Sequence, residues 1–327
     1  MAGVWSGLGE SAFLQGLNET ERDGPRLTAA VVGGLILGVV AAAASWCLIM
    51  VPYTLWAGLG ADGLEGLGRA AQAMVDPRRT DLDLAILRLA VTSIVDGAFL
   101  LVFAAFAAVV ARQPLHSYIT AARQVRWRLL LVGMGLAVLA LAPIVTAEGV
   151  MGGAALPILA VSPGLGGRLL YGATSLLLVP AAAAEELVFR GWLVRRTAAF
   201  SLRPAVMIIF TGVLFAAAHL DFNPDAFLTR ALMGAGFAYM TLRLGGIEFS
   251  AGVHATHNML IVIFLAPLNL QSEPPSVSAF SLMEDIGLLA GYVIITEAVV
   301  HISWLRRWAG VRLGEISPPD DQPPSAP

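Results

Sequence analysis

Inside the long apolar stretches of this 327-residue chain lie a few ionisable side chains whose types and spacing suit acid–base chemistry or metal binding. Each costs roughly 3 kcal/mol at the centre of a membrane, so such groups persist where they pair, face a cavity or react. The densest cluster follows a run of alanines and reads Glu185-Glu186-Leu187-Val188-Phe189-Arg190. On a helix Glu186 and Arg190 share a face and can form a charge-assisted pair, while Glu185 points about 100° away and is left for another partner. Phe215 stands one turn from His219, and His254 stands one turn from Asn258 with His257 beside them. Two imidazoles and a carboxylate can exchange protons with water, and the same groups form a typical catalytic zinc set.

Apolar helices must position these residues. With 57% hydrophobic and 13% charged residues and a mean hydropathy of +0.76, the chain lies far from the roughly 25% charged composition of globular domains. The composition predicts an all-α fold, a polytopic membrane bundle. Blocks of spanning length, about 20 residues each, fall near 27–52, 84–111, 129–147, 168–194, 205–220, 226–244, 247–268 and 283–304, which makes about eight transmembrane helices. A helical hairpin turning at Ser201 to Pro204 puts Glu185, 17 residues before Leu202, and His219, 17 residues after it, at equal depth. The net charge of −3 provides no general basic field for nucleic acid, and the lone Cys47 allows no intramolecular disulfide.

Residues 1–26 carry Glu10, Glu19, Glu21 and Asp23 before any apolar run, which fits a polar lead-in and not a secretory signal. The helical domain is expected over 27–304, and 305–327, rich in proline, is expected to be a disordered cytoplasmic tail. All 20 basic residues are arginine; with eight spans, 14 fall on the side of the termini and 6 on the other. That asymmetry predicts an integral inner-membrane protein with both termini cytoplasmic. Gly33-Gly34, Ala41 to Ala44 and Ala181 to Ala184 allow close helix contacts. Gly58 to Gly68 reads as an extracytoplasmic connector, with a short interfacial helix near 67–74. Arg88 and Asp96 share a face of helix two and read as structural or snorkelling groups, and Glu297 with His301 reads as a hydrogen-bonded pair.

In their order, and in their placement on separate apolar helices, Glu185-Glu186-x-x-x-Arg190, Phe215-x-x-x-His219 and His254-x-x-x-Asn258 resemble the motifs of the CPBP intramembrane proteases. That family includes the type II CAAX prenyl endopeptidases and bacteriocin-processing proteins. The likeness covers about 168–267. It implies an intramembrane endopeptidase that hydrolyses a peptide bond of a membrane-associated or lipidated substrate, with that peptide and the lipid bilayer as partners. Glu185 and His219 would activate the water, and His254 and Asn258 would donate to the oxyanion. Arg190 would neutralise Glu186 and hold helix four, Phe215 would pack His219 in place, and His257 would be a neighbour. In a competing version Glu185, His219 and His254 bind Zn²⁺, and the residues alone do not choose between the two. The cavity is expected between helices four, five, six and seven. Two other functions fit the same polar groups: a catalytically silent family member that regulates another membrane protein or confers immunity to a peptide toxin, and a proton-coupled transporter. Against the transporter stands the lack of any repeat between the halves.

Overall fold

The computed structural model of the chain describes residues 5, 7–17, 19–56, 82–151, 164–265 and 279–312, with a few isolated positions besides. Among the described residues are nine helices longer than a single 3-10 turn, and no strand. They are α1 (Gly24–Trp56), α2 (Leu82–Ala111), α3 (Trp127–Met151), α4 (Leu165–Phe200), α5 (Pro204–Ala218), α6 (Pro224–Leu244), α7 (Glu248–Leu260), α8 (Ala279–His301) and α9 (Ser303–Ala309). The protein is an all-α membrane bundle, and α1 to α8 fall on the blocks expected from hydropathy. Four of them, α1 to α4, are long and apolar enough to cross a membrane, and α8 with α9, bent by 90°, makes a fifth if the pair is one span.

This is fewer than eight, and length and polarity account for the difference. α5 has 15 residues and α7 has 13, while α6 carries Asp225, Arg230 and Arg243. α7 is buried continuously from Glu248 to Thr256, so protein sheathes it and it needs no apolar face toward lipid. The outer helices do show such a face: Val32, Leu35, Ile36 and Val39 on α1 and Ile209 on α5 all point outward.

α1 packs on α2, α3 on α7 and α5 on α6, while α4 lies against α2, α5 and α7. The closest crossings occur at glycines. A Cβ added to Gly212 on α5 would lie 2.6 Å from the Ala231 carbonyl oxygen on α6, and one added to Gly34 on α1 would lie 2.7 Å from the Phe103 ring on α2. The second of these is the contact expected of the Gly33-Gly34 pair. The α4–α5 hairpin turns where the sequence places it, with Phe200 ending one helix and Pro204 starting the next.

A clamp aims α7. α6 ends at Gly245, whose φ of 72° is a left-handed conformation that glycine adopts without strain. The connector between α2 and α3 crosses this turn: the Ala121 N–H donates to the Gly245 carbonyl at 2.9 Å, and the Ile247 N–H donates to the Ile119 carbonyl at 2.8 Å. Arg126 then grips the first residue of α7, donating from Nε to Glu248 Oε1 at 3.0 Å and from Nη2 to Oε2 at 2.8 Å. Both side chains are buried, a bidentate geometry that fixes direction as well as distance.

The N-terminal lead-in is packed onto the end of α4. Its 3-10 turns at Leu8–Glu10, Ala12–Leu14 and Glu19–Glu21 bury Leu8, Phe13 and Leu14. Arg195 Nη1 donates to the Phe13 carbonyl at 2.6 Å and Arg196 Nη1 donates to the Thr20 carbonyl at 3.1 Å, while Arg195 Nε lies 3.4 Å from Glu21 Oε1. These arginines are held by main-chain oxygens that no hydropathy pattern reveals. At the other end, Leu305, Ala309 and Val311 are buried in the core that includes α3, so the segment expected as a disordered tail begins with ordered residues. The connector at 58–68, the interfacial helix near 67–74 and the rest of the tail from 315 lie largely outside the described residues.

Candidate active site

At Leu187–Leu193 α4 widens into a π-helical turn, a rare geometry that recurs at functional positions. It begins directly after Glu185-Glu186 and contains Arg190. Glu186 and Arg190 are fully buried, with Oε1 and Nη1 3.1 Å apart, which is the pair expected from their spacing. The Arg190 guanidinium otherwise meets aromatic faces, 4.2 Å from the ring centre of Phe215 and 5.1 Å from that of Phe237. His254 Nδ1 lies 3.0 Å from the same Glu186 Oε1. One carboxylate oxygen therefore joins α4 to α7, a contact that reading each motif separately does not disclose.

With Nδ1–H engaged by Glu186, His254 presents Nε2 toward Glu185, whose Oε2 is 3.9 Å away. That exceeds hydrogen-bond distance and suits one bridging water. His254 is 3% exposed and Glu185 22%, so the carboxylate is the open side of the pair. Glu185 and Asn258 line a cavity of about 390 Å³ whose other walls include Arg88, Ser93 and Asp96 on α2 and Tyr171 on α4. The cavity lies between α2, α4 and α7, which corrects the expectation of helices four to seven. Aromatic packing is the reason: on the α5 and α6 side of His254 stand Phe215 and Phe237, with ring centres 5.8 and 4.9 Å from the imidazole. The open space falls on the α2 side, and Arg88 and Asp96, read from sequence as structural, share it with Glu185.

His219 follows the last turn of α5. Its Nδ1 donates to the Phe215 carbonyl at 2.8 Å, which leaves Nε2 as the acceptor of the neutral ring. The ring lies edge-on to Phe215 at 4.7 Å between centres, so Phe215 touches both imidazoles and Arg190. Charges on Glu185, Arg230 and His254 act on it. His257 is engaged elsewhere, its Nδ1 being 3.0 Å from the Tyr292 hydroxyl on α8. Tyr292 and Phe237, with ring centres 5.2 Å apart, form the wall behind His254. No motif marks them, because an aromatic ring in an apolar stretch looks like any other core residue. A second π turn, Ile261–Leu265, follows Asn258, and the Tyr171 hydroxyl donates to the Val262 carbonyl at 3.0 Å within it. The Glu297–His301 pair forms as expected at 3.1 Å, and Glu297 also accepts from Arg243 at 2.8 Å.

Among the described residues no group of three or more His, Cys, Asp or Glu is arranged to hold a metal ion. Glu185, His219 and His254 thus do not form such a group.

The fold and the site together define an integral membrane protein with buried carboxylate, imidazole and guanidinium groups beside an intramembrane cavity. Residues 167–260 match the family model described as type II CAAX prenyl endopeptidase Rce1-like. This segment holds all three motifs, and the resemblance drawn from them is borne out over it by the family match. The chain is also similar to the uncharacterized protein YyaK of Bacillus subtilis (strain 168), at 33% identity over 105 residues, covering 30% of this chain and 35% of YyaK. The match thus spans about a third of that curated relative. No solved structure matches the chain.

Proposed function

We propose that the protein is an intramembrane endopeptidase that hydrolyses a peptide bond of a membrane-associated or lipidated substrate. The observation that carries this reading is the 3.9 Å gap between Glu185 Oε2 and His254 Nε2, at the edge of the cavity and backed by the buried Glu186–Arg190 pair. A water in that gap gives a proton to Glu185 as its oxygen attacks the scissile carbonyl carbon. His219, with Nε2 as acceptor, assists Glu185 in drawing off that proton. Asn258 donates its side-chain N–H to the developing oxyanion. His254 donates from Nε2 in its imidazolium form, since Nδ1–H is already given to Glu186, whose carboxylate balances the ring's charge. When the C–N bond breaks, the proton held by Glu185 passes to the leaving amine, and acid and amine products result. Arg190, 3.1 Å from Glu186 Oε1 and fully buried with it, supplies the counter-charge to that carboxylate. The arginine asymmetry supports an inner-membrane location with both termini cytoplasmic.

The test is cleavage of a quenched membrane peptide by purified wild type, Glu185→Ala and His254→Ala, with and without chelator. Turnover by wild type with both variants silent is the expected result. Equal turnover in all three would overturn the catalytic assignment, and cleavage lost to chelator and restored by Zn²⁺ would replace the mechanism with a zinc-bound one. Proton flux dependent on Glu185 in liposomes, with no peptide product, would instead make the protein a transporter.

A further inference from the structure

We infer that α2 is the wall that receives the substrate's main chain: Ser93 donates to a backbone carbonyl and Asp96 accepts from a backbone N–H beside the scissile bond. The inference rests on the endopeptidase reading and adds the conformation in which the substrate is taken, an unwound, extended peptide segment.

Ser93 is 5% exposed, lines the cavity, and its buried hydroxyl has no hydrogen-bond partner among the described residues. An orphan hydroxyl in such surroundings is unfavourable and is rare in folded proteins unless something else supplies its partner. Apolar side chains such as Leu89, Ala181 and Val262 make up much of the remaining lining and offer none. A serine can turn its hydroxyl among three staggered positions, so it can meet a group arriving in the cavity. Asp96 lies three residues further on the same face of α2, about 4.5 Å along the axis, and the charge of Glu185 acts on it. The wall also stands close to the catalytic helix. A Cβ added to Gly97 would be 3.7 Å from the Ala181 Cα, one turn before Glu185 on α4.

A donor and an acceptor offset by about 4.5 Å along the helix axis can serve neighbouring main-chain groups of an extended peptide, which advances about 3.3 Å per residue. A substrate still helical has spent its N–H and C=O groups on itself, whereas an unwound segment in the membrane must find partners for them. Ser93 and Asp96 supply those partners at the place where Glu185 needs the carbonyl exposed.

A library of membrane-inserted peptides is offered to the full-length protein, products are identified by mass spectrometry, and the best-cleaved peptide is used for kinetics. Ser93→Ala and Asp96→Asn should each raise KM about five- to ten-fold with little change in kcat, the signature of lost ground-state binding. Ser93→Thr, which keeps the hydroxyl, should restore KM, and Ser93→Ala should leave Tm in detergent unchanged or higher, because that hydroxyl has no partner to lose among the described residues. An unchanged KM in both variants, or a fall in kcat alone, would overturn the inference and leave the endopeptidase reading standing. A lower Tm for Ser93→Ala would mark a structural role and overturn it as well. If wild type cleaves no peptide of the library, the endopeptidase reading fails and this inference falls with it.

Discussion

Glu186 Oε1 meets Arg190 at 3.1 Å and His254 at 3.0 Å with no exposed surface, so a single oxygen holds the cation and the imidazole in place. Glu186→Gln keeps the volume and removes the charge, leaving Arg190 buried without a counter-ion. Breaking a buried pair in this way costs about 3–5 kcal/mol, which thermal unfolding in detergent should register together with a loss of kcat. An unchanged Tm would contradict the role assigned to this carboxylate. Asn258 carries no such burden, and Asn258→Ala should lower kcat by roughly 10²–10³ while leaving Tm unchanged. The motif residues were legible in the sequence because a charge or an imidazole in an apolar run stands out. The link from Glu186 to His254 was not, since it joins residues on helices far apart in the chain, and Phe237 and Tyr292 left no mark among other apolar residues.

Helix crossings decide whether those side chains meet. Gly212 lets α5 approach α6 so closely that a Cβ there would lie 2.6 Å from the Ala231 carbonyl oxygen, whereas Gly135 on α3 has nothing within 4 Å of its added Cβ. Gly212→Val should therefore destabilise the fold by about 1–3 kcal/mol through overpacking, and Gly135→Ala should be close to neutral. Equal Tm values for the two variants would contradict the crossing. The eight blocks located their helices because apolarity is a local property of the chain. The place of the cavity did not follow from them, since it depends on which faces the aromatic rings of Phe215 and Phe237 close. The polarity of α6 and α7 has the same origin: helices enclosed by other helices are free of the hydropathy rule that α1 to α4 obey.

For the whole molecule, the N-terminal turns and α9 show that polar or proline-bordered ends can be part of the packed body. Arg195 and Arg196 hold the former through main-chain oxygens, and Leu305 and Ala309 seat the latter. Orientation rests on arginine counts alone and is open to direct test. In a Cys47→Ser background, a cysteine at position 3 or 325 should react with a membrane-impermeant maleimide in inverted vesicles and not in intact cells; labelling in intact cells would place that terminus outside. The central claim, that Glu185 activates a water held against His254, is tested most directly by kcat for a membrane peptide with wild type and Glu185→Gln, compared at equal Tm. A loss of roughly 10²–10⁴ is expected for removal of a general base, and turnover within two-fold of wild type would contradict the account.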